Sequence, residues 1–214
     1  MLISRDHNFL FIHIAKTGGT SIAAALSEFC APPPPVSLHY RLRKILPIRC
    51  QIDTLPQPTH ASASWVRSRL GKATYDKLFS FAVVRNPFDQ LVSRYEFVKR
   101  SRRHRDSAMA NELTFSQYLE RKAATSYIFR KTQSDHITDE TGKIIVTRVF
   151  RFENLSELAI EFKDRTGISI DQLPHLNSTI RKPYAEYYDK PSRKIVERLF
   201  KADLENFSYR FDDD

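Results

Sequence analysis

The chain has 214 residues, 41% of them hydrophobic, with 15 Phe and 9 Tyr, which suits one globular domain with a substantial core and excludes a disordered polymer. Lys and Arg number 34 against 25 Asp and Glu, a formal charge of +9 that favours anionic partners: a nucleotide, an acidic glycan, nucleic acid or a membrane surface. No apolar run approaches the length of a membrane span, and Cys30 and Cys50 are too few for a disulfide framework or a structural zinc site, although one bridge between them is compatible with the sequence.

The first apolar run, Phe9 to Ile14, reads as a buried strand. The loop Ala15-Lys16-Thr17-Gly18-Gly19 follows, and a helix opens at Thr20-Ser21. A strand that turns through glycines into a helix N-terminus is suited to an anion, because the first helical N–H groups lack intrahelical partners and the macrodipole favours negative charge there. Gly18 and Gly19 let the backbone approach a ligand, Lys16 supplies a cation, and Thr17, Thr20 and Ser21 add hydroxyl donors. This pattern predicts a phosphate or sulfated-phosphate ligand. The alternative is an ordinary strand–loop–helix turn in which the glycines serve geometry alone. The loop is not the nucleoside-triphosphate motif G-x-x-x-x-G-K-[ST], since Lys16 precedes the glycine pair, and it is not the dinucleotide pattern G-x-G-x-x-G.

Ala31 to Pro35 ends the first helix and predicts an extended polyproline connector. Residues 36–60 carry Arg41, Arg43, Lys44 and Arg49 among scattered prolines and yield no assignment. Ser62 to Leu70 predicts a helix, and Phe79 to Val84 a second short strand. Arg85 follows at its carboxyl end, and Pro87 suits the first turn of a helix in which Phe88, Leu91, Val92, Tyr95 and Val98 recur at helical spacing. Arg85 is a planar cation suited to phosphate, and Ser93 lies about two turns into the helix, within reach of the same anion. The alternatives are a structural ion pair for Arg85 and a solvated helix position for Ser93. The run Lys99 to Arg105 is the densest positive patch; it either complements the dipole at a helix C-terminus or forms an approach surface for an anionic acceptor such as an acidic polysaccharide.

Further on, Thr114 to Tyr127 reads as helical, and the turn Asp139-Glu140-Thr141-Gly142 leads into a strand from Ile144 to Phe150. Leu155 to Thr166 is a helix stopped by Gly167, and Pro191 to Phe200 is the last helix. Strand, helix and strand alternate through the first half, which predicts an α/β fold with a parallel sheet. Ligands of such sheets bind beyond the carboxyl ends of the strands, where Lys16 and Arg85 stand.

These segments resemble a known family. HIAKTGGTSI resembles the 5′-phosphosulfate loop of sulfotransferases, and FAVVRNPFDQLVSRY resembles their 3′-phosphate motif, including the Arg-to-Ser spacing. The likeness is greatest to the branch that holds carbohydrate sulfotransferases and many bacterial relatives. VFRFENLSEL resembles that branch's R-F-E-x-L strand and turn, and HLNSTIRKPYAEYYDKPSRKIVERLFKADLENFSYRF resembles its C-terminal segment, so similar pieces run from Phe9 to Phe211. Gln90 departs from the pattern, standing where many relatives carry Arg; Arg85 and Ser93 keep theirs.

The resemblance implies a single sulfotransferase domain over residues 1–214, a three-layer α/β sandwich around a central parallel sheet with a P-loop-like phosphosulfate-binding loop. It implies transfer of a sulfuryl group from 3′-phosphoadenosine 5′-phosphosulfate (PAPS) to a hydroxyl or amine, an anionic or neutral glycan being the expected acceptor, with no metal and no nucleic-acid partner. Lys16 would stabilise charge on the leaving phosphate, Thr17, Gly18, Gly19, Thr20 and Ser21 would hold the 5′-phosphosulfate, and Arg85 and Ser93 would bind the 3′-phosphate. His60, in a segment resembling the family's H-[AT]-[ST]-A site, is the expected general base; the alternative is a helix-start histidine that hydrogen-bonds the backbone. His13 is expected to pack or orient, His175 to touch substrate, and Arg181 and Lys182 to add to the nucleotide site unless they lie in a solvated loop. With no signal peptide ahead of the first loop, the expectation is either a cytoplasmic, bacterial enzyme or a chain shortened from a longer one. Two rivals remain. A small P-loop-type nucleotide kinase lacks its triphosphate motif and magnesium carboxylates here, and a non-catalytic basic nucleic-acid-binding module lacks any helix-turn-helix, zinc-finger or RNA-recognition signature.

Overall fold

The computed structural model describes residues 1–30, 59–125, 131–170 and 181–212; the proline run, Cys50 and His175 lie outside the described residues. The chain forms two compact units, Met1–Val83 with His136–Pro174 and Val84–Asp135 with His175–Asp214. Strands are β1 (Leu2–Ser4), β2 (Phe9–Ile12), β3 (Phe79–Val84) and β4 (Arg148–Arg151). Helices are α1 (Gly19–Leu26), α2 (Ala63–Leu70), α3 (Lys72–Tyr75), α4 (Pro87–Arg100), α5 (Ser107–Glu112), α6 (Phe115–Thr125), α7 (Ser134–Ile137), α8 (Leu155–Thr166), α9 (Lys190–Leu199) and α10 (Lys201–Asn206).

The first unit carries a four-stranded, mostly parallel sheet in the order β1-β2-β3-β4. β2 and β3 are parallel, with Phe9 opposite Phe79 and Ile12 opposite Ala82, so their carboxyl ends share one edge of the sheet. Every residue of β2 and β3 is buried, the continuous apolar run that a sheet covered on both faces requires. Phe9, Phe11, Phe79, Phe81, Val83 and Phe150 form one face, which packs on Ile22 and Leu26 of α1 and on Leu158 and Phe162 of α8. The Phe81 ring stacks on Phe11 and meets Phe162 edge-on, at 5.2 and 5.6 Å between centroids. Leu10, Ile12 and Ala82 point to the opposite face and are also fully buried. The α/β sandwich expected from the sequence is thus present. Its edge strand β1, antiparallel to β2, was not predicted.

Several helix boundaries follow the sequence closely. Ser62 caps α2 by accepting from the Trp65 N–H, and Gly167 ends α8 with φ +75°, where its N–H bonds the Lys163 carbonyl. The strand expected from Ile144 to Phe150 is displaced. Ile144 makes only an isolated bridge to Thr138, and the ladder proper begins at Arg148. Between them Thr147 keeps one backbone bond, its N–H donating to the Ser80 carbonyl at 2.8 Å, and replaces the other with its hydroxyl, which accepts from the Ser80 N–H at 3.2 Å. Cys30 is a free thiol that donates to the Leu26 carbonyl, and burial raises its pKa to about 11.

The second unit is helical. Pro87 opens α4, and the Asn86 side chain accepts from the Phe88 N–H at 3.1 Å. The stripe Phe88, Leu91, Val92, Tyr95 and Val98 is buried, as its spacing predicts, against Phe115, Tyr118, Leu119, Val196 and Phe200. The C-terminal aromatic segment folds back over the start of α4: the Asn86 amide donates to the Arg210 carbonyl at 2.9 Å, Tyr184 donates to the Phe211 carbonyl, and the Phe211 ring stands edge-on to Phe88 at 5.0 Å. The helix predicted to be last is followed by α10: the chain breaks at Phe200 and restarts in a short helix whose buried residue is Asp203.

Asp203 is fully buried, and its two carboxylate oxygens accept from the Gln133 N–H at 2.8 Å and the Ser134 N–H at 2.7 Å. Burial nonetheless holds its pKa above the ordinary carboxylate value. Asp203→Asn places an amide donor against one of those N–H groups. It is expected to cost about 2 kcal/mol, read as a lowered urea midpoint at unchanged m-value, because a buried donor then lacks an acceptor.

Candidate active site

In the first unit the chain leaves β2 at Ile12 and turns from Ala15 to Gly18 into α1. Lys16 and Gly18 both adopt left-handed backbone conformations, φ +67° and +77°. Glycine does so freely; a lysine is strained by about 1 kcal/mol or more. Thr17 is buried, and its hydroxyl donates to the Ile14 carbonyl at 3.1 Å, so its proton ties the loop to the strand end instead of pointing outward as a donor. Gly19 is needed for space. A Cβ there would lie 2.0 Å from Cδ2 of the His13 ring. Thr20 is exposed and Ser21 buried, and the N–H groups of Ser21 and Ile22 both bond the Gly18 carbonyl. No acidic residue occupies the first turn of α1 and no side chain caps it, so the positive end of the helix is not offset by its own sequence.

His13 and His60 meet beside this loop, ring centroids 4.8 Å apart. His13 is buried and stacked on Phe11; burial first, and then the neighbouring His60, lower its pKa to about 4. Its carbonyl lies 2.9 Å from Nδ1 of the exposed His60. A carbonyl only accepts, so Nδ1 carries the proton, and in the neutral ring Nε2 keeps the lone pair. The structure thus shows the alternative offered for His60, a histidine hydrogen-bonded to the backbone, and that bond leaves the ring's lone pair on Nε2. His13 packs against Phe11, one of the two parts expected of it.

In the second unit Arg85 is held at both its backbone and its side chain. Its N–H donates to Gln133 Oε1 at 2.9 Å, and Gln133 Nε2 donates to its carbonyl at 2.7 Å. Its Nε and Nη2 lie 2.8 and 2.5 Å from Asp89 Oδ2, while Arg181 Nη2 pairs with Oδ1 of the same carboxylate. The structural ion pair offered as the alternative for Arg85 is thus real, and it also brings in Arg181. Ser93 lies one turn beyond Asp89 on the same face of α4 and is buried, not solvated. Lys182 is exposed and pairs with Glu186 at 3.4 Å. Arg100, Arg102, Arg103 and Arg105 are exposed at and beyond the end of α4.

Sequence reasoning missed Asp89, Gln133 and Asp203. Asp89 had a signal, its helical spacing of four from Arg85; Gln133 and Asp203 act across long sequence separations and had none.

A family model described as the sulfotransferase family matches residues 1–210. The chain belongs to that family and is a transferase of sulfuryl groups. No curated protein and no solved structure gives a significant match.

Two outcomes follow from the strand-end geometry. Lys16→Gly relieves the left-handed strain, so the thermal midpoint should rise by about 2–4 °C; a lowered midpoint would contradict the strain. The native state keeps His13 neutral down to about pH 4, whereas the unfolded chain takes up that proton near 6.5. The unfolded state binds more protons in that window, so stability climbs as pH rises from about 4 to 6.5 and is lost on acidification. Urea titrations across this range should show a shallower dependence in His13→Gln.

Proposed function

We propose that this sulfotransferase moves the sulfuryl group of PAPS to a hydroxyl or amine of a carbohydrate. The observation that carries the reading is the start of α1, a helix terminus without an acid in its first turn, led by a strained lysine. These features suit a 5′-phosphosulfate, and Arg85 with Ser93 suits a 3′-phosphate. Bound there, the donor would supply an activated sulfuryl group and a phosphate leaving group.

Lys16 offsets the charge that develops on the bridging oxygen, as the loop N–H groups do for the non-bridging ones. Thr20 and Ser21 add hydroxyls at the helix start, and Gly18 and Gly19 keep that surface open to close approach. Arg85 and Ser93 bind the 3′-phosphate and select this nucleotide over ADP. His60 Nε2 accepts the acceptor's proton, with Nδ1 anchored on the His13 carbonyl. The exposed arginines at 100, 102, 103 and 105 favour an anionic glycan as acceptor.

Calorimetric titration with adenosine 3′,5′-bisphosphate in EDTA tests the donor. Tight binding that exceeds that of ADP and weakens more than about tenfold in Arg85→Ala is expected. His60→Ala should leave that affinity unchanged and lower kcat by about 10²–10⁴-fold in an acceptor assay. Equal binding of ADP and the bisphosphate would require the PAPS reading to be withdrawn.

A further inference from the structure

We infer that Asp89 is a positioning residue for the 3′-phosphate: its two carboxylate oxygens hold Arg85 and Arg181 side by side as a paired cation that recognises a phosphate monoester. This rests on the PAPS reading above. The geometry is specific. Oδ2 takes the Nε and Nη2 edge of Arg85 at 2.8 and 2.5 Å, and Oδ1 takes Nη2 of Arg181. All three side chains are less than one-fifth exposed, at 12, 17 and 13% for Arg85, Asp89 and Arg181.

Two guanidiniums brought this close repel each other unless an anion stands between them, and in a largely buried setting water screens that repulsion poorly. One carboxylate cancels one of the two charges. The three groups taken together carry +1 in a largely buried setting, a sign and a place that suit a phosphate. A purely structural ion pair would need only one arginine. The carboxylate also takes up one edge of Arg85, which fixes the plane of the guanidinium, while Gln133 fixes the backbone beneath it. Asp89 thereby turns two long, flexible side chains into a preorganised pair, reducing the ordering cost that ligand binding would otherwise bear.

The opposing expectation has the opposite sign. If Asp89 were only a counter-ion or a stabiliser of the first turn of α4, removing its charge would leave bisphosphate binding unchanged or tighten it, since a repelling carboxylate would be gone. The experiment is calorimetric titration of the wild-type chain, Asp89→Asn and Asp89→Glu with adenosine 3′,5′-bisphosphate and with ADP, alongside thermal midpoints. The inference expects Asp89→Asn to lose about tenfold or more in bisphosphate affinity while ADP affinity stays within about twofold, and Asp89→Glu to recover part of the loss. Unchanged or tighter bisphosphate binding in Asp89→Asn overturns it, as does an equal loss for both nucleotides accompanied by a lowered midpoint. A wild-type chain that does not prefer the bisphosphate over ADP overturns the PAPS reading, and this inference with it; a wild-type preference that survives Asp89→Asn overturns this inference alone.

Discussion

A strand buried on both faces has no partners for its backbone except the neighbouring strands, so the chain is free to turn and present charge only where the ladder stops. β2 and β3 live under that constraint. Their residues are wholly buried, their phenylalanines interlock with α1 and α8, and their shared direction brings both carboxyl ends to one edge of the sheet. Lys16 follows the end of β2, and Arg85 is the first residue after β3. Each of these cations stands where its strand's buried run stops.

The side chains at those ends are held in different ways. Lys16 is set by its own backbone, turned into a conformation that its side chain disfavours. His60 is set by a carbonyl of the preceding strand end, and the ring of that same residue, His13, fits only because position 19 lacks a Cβ. Arg85 is set by a relay of buried polar groups: Asp203 holds the Gln133 backbone, the Gln133 amide holds the Arg85 backbone, and Asp89 holds the guanidinium. Such a relay tolerates little change, because each member lost would leave another buried group without its partner.

Local signals made much of this architecture legible. The apolar run of β3, the proline at the first position of α4 and the helical spacing after it are short-range features, and they located strand and helix to the residue. The glycine pair located the turn into α1 in the same way. What escaped was either too short for periodicity, such as the three residues of β1, or dependent on partners far along the chain. Gln133 lies 48 residues from Arg85 and 70 from Asp203, and nothing in its own neighbourhood marks it. Thr147 was read as an ordinary strand residue because its replacement of one ladder bond by a hydroxyl is visible only with Ser80 beside it. His60 is an intermediate case: a backbone bond was one of the two readings the sequence allowed, but that its acceptor is the His13 carbonyl is a fact of three dimensions.

The left-handed lysine has a consequence on the timescale of descent. Position 16 is one at which folding alone would favour glycine or asparagine, so mutational drift pushes against the amine in every generation. Under the proposed function, the demand for a positive charge beside the donor keeps it there. In a duplicated copy released from catalysis, this residue should be among the earliest to change, ahead of the buried phenylalanines of β2 and β3, whose loss would cost the fold. The identity of this single position would then separate working descendants from copies that retain only the shape.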